Sequence, residues 1–472
     1  MMKKLLLPLL LALLVVGCNT KKKKQQEKEN LTSEQIVKRL TNAYLYGYPL
    51  LSMDYTRINS TNVEFPNKRG KAPINQFATL QGFPKAGFKG VVRPNLDTYY
   101  CLIWTDLRKE PLYITIPKTD RYYLMPILNA YTEVISSVGS RTTGQDKIDF
   151  VLAGPNFKGE LPKGAKIIRS ATNMNWLLGR LAVANNKDGR DAVKNFQKKL
   201  KVVPLSERDN PNYQAPKGSY IPKNNLVPMA VVDGLDIVSY YNQMLALMVD
   251  NPSLVQDTKM IKEMASVGLY PGQKFDIQQF SEEVQEKIKN IPEEVQLAFT
   301  ERTNNPSPKT FVNGWNYITG LLGNYGTKYS LRAYIAKIGL GANQDIDAIY
   351  PNTAVDLDGA ILSSKLKYKI HFDAKDLPPV KGFWSITVYD KEGFLVDNPI
   401  DRYCVGSMKP LQYNKDGSLD IYLQAKAPKR NKENWLPTPQ DGSNFELTMR
   451  LYWPKKSALE RKWNIPGVQK VK

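Results

Sequence analysis

The period of the hydrophobic positions divides this chain into a helix, a β region, a helical region and a second β region. The first helix is predicted over residues 33–59, where Thr32 or Ser33 can cap its start and Pro49 should kink or end it. Beyond residue 60 the apolar segments become short, rich in β-branched and aromatic residues, and bounded by Pro, Gly and Asp, which is typical of antiparallel strands. We therefore predict a first β-sandwich domain over residues 60–185.

Apolar residues return to helical spacing in a middle segment, residues 186–339. One helix there should stop before the Asn251-Pro252 pair, and Pro292 should separate two further helices. Residues 340–472 then alternate between apolar and polar positions, which predicts a second β domain of the jelly-roll kind. The expected fold class is α+β: mainly β with a helical middle, in which two jelly-roll or β-sandwich domains are joined by a helical segment.

The strands of the second β domain carry hydroxyl, phenol and guanidinium groups on the faces opposite to their apolar ones. Such a face is either an ordinary polar sheet surface or the semi-polar lining of a concave ligand site. On the second interpretation Tyr389 and Arg450 line a pocket, and Trp435 lies at its rim. Trp384, Tyr389 and Trp435 are also candidate aromatic platforms for a sugar or another small ligand.

The first residues of the chain have the form of a secretory signal. Lys3 and Lys4 precede an apolar run of about 12 residues, too short for a membrane span of roughly 20 residues. The run ends in LVVGC, which looks like a bacterial lipobox and makes Cys18 the predicted site of lipidation by acyl chains such as palmitate. An ordinary signal peptide followed by an incidental cysteine is the alternative. We expect a lipoprotein signal peptide over residues 1–17, a flexible basic tether over residues 18–32, and a location at the cell envelope, on the outer membrane facing the periplasm if the organism is Gram-negative.

The charge balance bears on the partners of this protein. Lysine and arginine total 66 against 45 aspartates and glutamates, which gives a formal net charge of +21. A basic balance usually indicates nucleic acid or an anionic surface, but an envelope address argues against nucleic acid. The expected partners are the membrane, through lipidated Cys18, and an anionic glycan, lipid or small ligand. Cys101 and Cys404 lie in apolar, aromatic stretches and are expected to be buried thiols, with a disulfide between them as the alternative.

Motifs for the common cofactor and hydrolase chemistries do not occur in the sequence. There is no GxGxxG after a strand, no GxxxxGK[ST], no GxSxG and no CxxC, so no cofactor is predicted. Because His371 is the only histidine, sites that need two histidines are excluded, and no metal site is predicted.

The densest cluster of polar and aromatic residues is RPNLDTYY at 93–100. Asn and Asp around a proline form a tight turn that enters a strand, which is a sufficient structural reason for the cluster. The functional alternative makes Asp97 a catalytic base and Tyr99 a catalytic acid, with Arg93 or Arg402 stabilising the negative charge that develops.

Several blocks of the chain resemble two bacterial families, each defined as a domain of unknown function. Those similar to family 1254 are RPNLDTYY (93–100), PLYITIP (111–117), RYYLMPILNAYT (121–132) and SVGSRTTG (137–144). Those similar to family 1214 are NYGTKYSLRAYIAKIGLGAN (324–343), AVDLDGAILSSKLKYKIHF (354–372), GFWSITVYD (382–390), NWLPTP (434–439) and RLYWP (450–454). The resemblance implies an exported protein with two jelly-roll-like β domains separated by a helical part, the 1254-like domain being N-terminal. It supplies no catalytic residue.

The sequence leaves the biochemical role open between two classes. One is an envelope enzyme, a hydrolase or lyase that acts on a small polar or anionic substrate in a pocket between the β domains. The other is a non-catalytic lipoprotein that binds a carbohydrate, a lipid or another small molecule. A carboxylate and an arginine that converge in a closed pocket would favour the enzyme, and a shallow aromatic groove would favour the binding protein.

Overall fold

The computed structural model describes residues 31–89, 91–184 and 186–471. The predicted signal peptide, the lipidation site Cys18 and the predicted tether up to residue 30 lie outside these ranges. Within them, two β-sandwiches are joined by a helical part, so the α+β class predicted from the sequence is confirmed. None of the described helices is long and apolar enough to cross a bilayer.

The helical part is built around one long N-terminal helix. The helices of the described residues are α1 Ser33–Ser60, α2 Lys187–Lys198, α3 Pro228–Asp233, α4 Ile237–Asp250, α5 Thr258–Ser266, α6 Glu282–Asn304, α7 Tyr329–Gly339 and α8 Lys456–Leu459. Helix α1 starts in a capping box, in which the side chains of Thr32 and Gln35 each accept a hydrogen bond from the backbone N–H of the other residue. It contacts α3, α4, α5, α6 and α7, so the helices of the middle segment are arranged around it.

Two prolines lie inside helices that continue past them. Pro49 does not end α1, and Pro292 does not separate two helices, because both lie inside continuous helices. A proline in a helix interior costs about 3 kcal/mol. Its neighbours here, Leu50 in α1 and Ile291 in α6, are fully buried against other helices, and this tertiary packing offsets the cost. Helix α4 ends before Asn251, as predicted.

The first β domain is a sandwich of two sheets. Its strands are β1 Ala78–Thr79, β2 Thr98–Asp106, β3 Leu112–Ile116, β4 Tyr123–Asn129, β5 Val134–Gly139, β6 Ile148–Ala153, β7 Lys166–Arg169, β8 Met174–Ala182 and β9 Lys201–Pro204. One sheet has the order β1-β2-β8-β4-β5 and the other the order β7-β6-β3-β9. Because β9 pairs with β3, and α2 packs on the sandwich core, the domain extends beyond the predicted boundary at residue 185.

The second β domain is also a sandwich of two sheets. Its strands are β10 Phe311–Val312, β11 Trp315–Asn316, β12 Ala348–Ile349, β13 Asn352–Thr353, β14 Lys367–Phe372, β15 Trp384–Asp390, β16 Cys404–Gly406, β17 Leu419–Gln424, β18 Trp435–Pro437, β19 Phe445–Tyr452 and β20 Gln469–Val471. One sheet has the order β10-β11-β13-β19-β15-β16, with β12 also paired to β19, and the other the order β18-β17-β14-β20. Since β10 and β11 belong to the first of these sheets, the domain begins before the predicted boundary at residue 340.

Side chains alternate between the two faces of β19, and one of these faces lies against the first domain. Met449 and its apolar neighbours lie in the core of the second sandwich, whereas Thr448, Arg450 and Tyr452 lie on the opposite face. The ring of Tyr452 contacts that of Tyr122 in the first domain, with centroids 6.1 Å apart. The polar face predicted from the sequence is therefore an interface between domains and not a solvent-exposed surface.

Candidate functional site

A cavity of ≈ 490 Å³ lies where the two β domains and the helical part meet. The first domain contributes Tyr100 of β2 and Arg180 of β8, which are paired across the sheet. The second domain contributes Thr448 and Arg450 of β19, and α7 with its neighbouring segments forms the remaining wall. The volume is within the range of about 300–1,000 Å³ that is typical of small-molecule sites.

Three neighbouring strands of the second domain place a row of polar side chains along this interdomain cavity. Asn316 of β11 is paired with Asn352 of β13, which is paired in turn with Thr448 of β19. All three residues line the cavity. The Oδ1 of Asn316 and the Oγ1 of Thr448 have no hydrogen-bond partner among the described residues, although Thr448 is only 4 % exposed. Buried polar atoms are normally hydrogen-bonded, so this wall has an unmet requirement for a polar partner.

The lining of the interdomain cavity is cationic. It contains Arg93, Arg180, Arg302 and Arg450, and the described residues that line it include no aspartate or glutamate. Arg93 forms an ion pair with Glu446, with Nε 2.8 Å from Oε1. The other three arginines have no carboxylate oxygen within 4.0 Å in the described part of the chain. Of these three, Arg450 is 3 % exposed and Arg180 is partly buried, whereas Arg302 is exposed. Because a buried charge without a partner is costly, Arg180 and Arg450 favour an anionic occupant of the cavity.

Arg180 is held in place by neutral groups. Its Nη1 donates to Oδ1 of Asn343, its Nη2 donates to the Gly341 carbonyl at 3.4 Å, and its Nε has no partner. The guanidinium carbon lies 5.5 Å from the centroid of the Tyr100 ring. Asn343 also donates to the Tyr350 hydroxyl at 2.5 Å, and burial raises the pKa of Tyr350, so that phenol is neutral. The positive charge of Arg180 is therefore oriented but not neutralised.

Arg450 forms part of the cavity wall and also links the two domains. Its Nη1 donates to Oγ1 of Thr387 at 2.9 Å, and its Nη2 donates to the Arg93 carbonyl at 2.9 Å and to the Tyr389 hydroxyl at 2.7 Å. The Tyr389 hydroxyl donates in turn to the Pro94 carbonyl at 2.7 Å. Arg450 thus lines the cavity, whereas Tyr389 is fully buried behind it and does not. Burial raises the pKa of Tyr389, which keeps the phenol neutral.

The side of the interdomain cavity formed by α7 and its neighbouring segments is mainly apolar, while α6 adds Arg302. Its apolar side chains are Ile318, Leu322, Ile335, Ile338, Leu340 and Ala342. Ile338 near the end of α7 is exposed, as are Val91 and Val92 on the opposite edge of the lining. These exposed residues mark the opening of the cavity to solvent.

Asp97 lies in the domain interface and does not line the cavity. It is 2 % exposed, and its Oδ2 accepts a hydrogen bond from Oγ of Ser385 in the second domain at 2.6 Å. Its backbone N–H donates to Oδ1 of Asn95 at 2.7 Å. In this position the carboxylate joins the turn before β2 to β15, and a molecule in the cavity does not meet it.

Tyr99 and Arg402 line a second cleft between the domains, with a volume of ≈ 740 Å³. Tyr99 is 2 % exposed and packs against Phe83, with ring centroids 4.9 Å apart. Arg402 donates from Nη1 to the Lys432 carbonyl at 2.5 Å and to the Trp435 carbonyl at 3.1 Å. The four candidate catalytic residues are therefore not brought together, because only Arg93 lines the interdomain cavity.

Cys404 also lines the second cleft. Cys101 and Cys404 are both free and buried, so the expected buried thiols are confirmed and no disulfide joins them. Nζ of Lys409 lies 2.6 Å from the Cys404 sulfur. Burial raises the pKa of Cys404, although the neighbouring ammonium opposes this shift. The thiol therefore stays protonated at neutral pH.

The two tryptophans proposed as aromatic platforms are fixed inside the second sandwich. Trp384 is 4 % exposed and contacts Phe372, with ring centroids 5.5 Å apart. Trp435 is 6 % exposed, and its Nε1 donates to the Gln424 carbonyl at 2.8 Å. Neither lines the interdomain cavity, so Trp435 does not form its rim.

The polar residues of the cavity that sequence reasoning missed include Arg180, Arg302 and Tyr350. Arg180 had a signal, because it is the only charged residue of β8, and a charge in an otherwise apolar strand marks a position that faces something polar. Arg302 is one of many charged residues of α6, and Tyr350 stands between two short strands. Nothing in their local sequence distinguishes them.

Comparison with protein families covers both β domains. A family model described as "Protein of unknown function (DUF1254)" matches residues 74–204, which end with β9. A model described as "Protein of unknown function (DUF1214)" matches residues 347–456, which include β12 to β19. No curated protein matches the sequence.

Solved structures that are similar to this chain include two crystal structures that cover most of its length. The VPA0106 protein from Vibrio parahaemolyticus has a TM-score of 0.68 and 24 % sequence identity, over 93 % of this chain and 100 % of that one. An uncharacterised protein from Burkholderia cenocepacia has a TM-score of 0.43 and 14 % identity, over 93 % of this chain and 94 % of that one. The likeness to the Vibrio protein shows the fold alone. The chain is a two-domain protein whose N-terminal domain belongs to the family DUF1254 and whose C-terminal domain belongs to the family DUF1214.

Proposed function

We propose that this protein is an envelope lipoprotein, anchored through Cys18, that binds an anionic small molecule in the cavity between its two β domains. The anchor rests on the lipobox-like end of the signal sequence. Ligand binding rests on the cavity itself. Of the two classes that the sequence left open, this is the non-catalytic one.

The observation that carries the proposal is the charge of the cavity lining. Arg180, Arg302 and Arg450 line the cavity without a carboxylate partner among the described residues, and no acidic side chain in the described lining opposes them. A guanidinium group presents several N–H donors in one plane, which suits a carboxylate or a phosphate. A bound anion would supply both the missing charge and the missing hydrogen-bond acceptor of Arg180 Nε.

The same lining favours binding over acid–base hydrolysis. A general base must reach the proton it abstracts, directly or through one water. The predicted base, Asp97, is buried in the interface and directed at Ser385, and the predicted acid, Tyr99, lines the other cleft. Among its described lining residues, the cavity therefore combines arginines with neutral groups, without the carboxylate that the enzyme hypothesis requires.

Calorimetric titration and thermal unfolding with acetate, inorganic phosphate, glucuronate and decanoate test this proposal. We expect at least one of these anions to bind and to raise the unfolding temperature. Arg180→Gln should weaken that binding by about tenfold to a hundredfold, which corresponds to the loss of one charge-assisted hydrogen-bonding group.

Arg208→Gln is the matched control for Arg180→Gln. Arg208 belongs to the first domain, pairs with Asp209 at 2.7 Å and does not line the interdomain cavity. Its replacement should leave anion binding unchanged. Failure of all four anions to bind, or equal binding by the wild type and Arg180→Gln, would contradict the proposal.

A further inference from the structure

Most of the polar and apolar parts of the interdomain cavity lie on different structural elements, and Arg302 of α6 is the one arginine of the described lining that the helical part supplies. The guanidinium and amide groups come from the two β domains, at Arg180, Arg450 and Asn316. The apolar side chains come from α7 and the segments next to it, between residues 318 and 342. We infer that the ligand is an amphipathic anion, with a carboxylate or phosphate head on an apolar chain, and this inference rests on the proposed function.

The head group is assigned to the β side of the cavity. Nε of Arg180 and Oγ1 of Thr448 have no hydrogen-bond partner there, and Thr448 is more than nine-tenths buried. An oxyanion accepts from both a guanidinium N–H and a hydroxyl. A purely apolar ligand would leave these donors unsatisfied, at a cost of about 1–3 kcal/mol for each buried group.

The chain is assigned to the helical side. Ile318, Leu322, Ile335 and Leu340 line that wall, and Ile338 continues it to the opening, where it is 47 % exposed. A sugar acid carries hydroxyl groups on all sides and would have to desolvate several of them against this wall. An alkyl chain loses no hydrogen bonds there and removes both its own apolar surface and that of the wall from water.

A series of chain lengths tests the inference. Acetate, hexanoate, octanoate and decanoate are titrated into the full-length protein beside the matching alkyl phosphates, inorganic phosphate, glucuronate and 1-decanol. Each added methylene should tighten binding about fourfold until the cavity is filled, the factor expected for about 0.8 kcal/mol per buried CH₂. The carboxylate and phosphate series distinguish a fatty acid from a lipid phosphate as the source of the head group. Weak binding of 1-decanol is expected, because it lacks the charge.

Two isoleucines provide a matched pair of variants. Ile338→Asn changes the apolar wall, and Ile346→Asn makes the same change at an exposed residue that does not line the cavity. Ile338→Asn should weaken decanoate binding by at least about fivefold, through the apolar contact it removes, while leaving phosphate binding unchanged. Ile346→Asn should have no effect on either ligand.

The outcomes separate this inference from the proposed function. If no anion binds, both are wrong. If glucuronate or inorganic phosphate binds as tightly as decanoate, or if affinity does not depend on chain length, the anion site stands and the amphipathic ligand is excluded. Equal decanoate binding by Ile338→Asn and the wild type would also overturn the assignment of the chain to the helical wall.

Discussion

A fully buried arginine on α7 shows how single residues join the helical part to the first domain. The guanidinium carbon of Arg332 lies 5.3, 5.6 and 5.1 Å from the ring centroids of Tyr46, Tyr131 and Tyr329. Its Nη1 is 3.5 Å from Oε1 of Glu133, which follows β4 of the first sandwich. Cation–π contacts of this kind contribute roughly 0.5–2 kcal/mol each. The three aromatic rings and the Glu133 carboxylate together stabilise the guanidinium charge of Arg332, which is not accessible to water.

The carboxyl of Glu133 should make stability depend on pH. Burial raises the pKa of Glu133 above its ordinary value of 4.5, and Arg332 opposes this shift. The folded state therefore holds the proton more tightly than the unfolded state, so this contribution to stability is complete below the unfolded pKa and is lost as pH rises through the folded pKa. We expect the free energy of unfolding of the wild type to fall relative to that of Glu133→Gln as pH is raised from 4.5. Urea unfolding of both proteins at several pH values measures the difference.

The same substitution at an exposed position controls for a general effect of charge. Glu64 is exposed and pairs with Lys217 at 3.0 Å, so Glu64→Gln should not reproduce this dependence on pH. Glu133→Gln also removes the charged partner of Arg332, and this attraction is already included in the net upward shift of the Glu133 pKa, because it opposes the effect of burial. A difference between the wild type and Glu133→Gln that stays constant with pH would contradict the prediction.

The side chains that lie on one face of a strand were easier to predict than the residues that they contact. Alternation along β19 predicts a polar face that carries Arg450, and the structure places Arg450 in the cavity wall. The same pattern does not reveal that this face meets the Arg93 carbonyl, because that contact joins two domains that are distant in the sequence. Asp97 and Tyr99 illustrate the same limit, since a carboxylate and a phenol two residues apart lie in different surroundings.

At the scale of elements, β5 carries the first domain into contact with the second. Oγ of Ser137 donates to Oδ2 of Asp347 at 2.6 Å, and Nε of Arg141 lies 2.5 Å from Oδ1 of the same residue. Asp347 directly precedes β12 and is fully buried. The position of β5 relative to β4 therefore sets the geometry of a buried ion pair between the domains.

Gly139 at the end of β5 allows that close approach. A Cβ atom at this position would lie 2.6 Å from the Tyr123 carbonyl oxygen and 3.1 Å from Cα of Leu124, both of them backbone atoms of β4. Gly139→Ala must therefore shift one strand from the other, and we expect it to lower the free energy of unfolding by about 1–3 kcal/mol. Gly82→Ala is the control, because no atom lies within 4 Å of its added Cβ, and it should be neutral or stabilising by up to about 1 kcal/mol. Equal stability of the two variants in urea unfolding would contradict the prediction.

Elements with a strong period were predictable, and elements without one were not. The spacing of apolar residues correctly predicts α4 and β19, whose buried faces repeat over several turns or residues. Short strands such as β11 and β13 contain two residues each and have no period to detect, yet they carry Asn316 and Asn352 into the cavity. The tendency of Pro49 and Pro292 to end a helix was overestimated, because local helix propensity does not include packing against neighbouring helices.

At the scale of the whole molecule, the sequence predicts the order of the parts but not their meeting point. The two sandwiches and the helical middle follow from the changes of period along the chain. The cavity forms where these three parts converge, from residues as far apart as Tyr100, Arg180 and Arg450. The strand in which each of these residues lies is enough to account for its side chain, so only the tertiary arrangement reveals that the three side chains surround one cavity.

Attachment to a membrane is the last property of the whole molecule that the proposal requires. One acyl chain gives only marginal, reversible binding, whereas two or more hold a protein durably, since each buried CH₂ contributes about 0.8 kcal/mol. Cys18→Ser removes the atom to which these chains would be joined. We therefore expect the wild type, expressed in a bacterium, to sediment with membranes, and Cys18→Ser to be released or to remain unprocessed. Cys404→Ser is the control, because the buried Cys404 thiol has no role in lipidation, and this variant should sediment with membranes. Soluble, fully processed wild-type protein in the same fractionation would exclude the lipid anchor and leave ligand binding to be judged on the cavity alone.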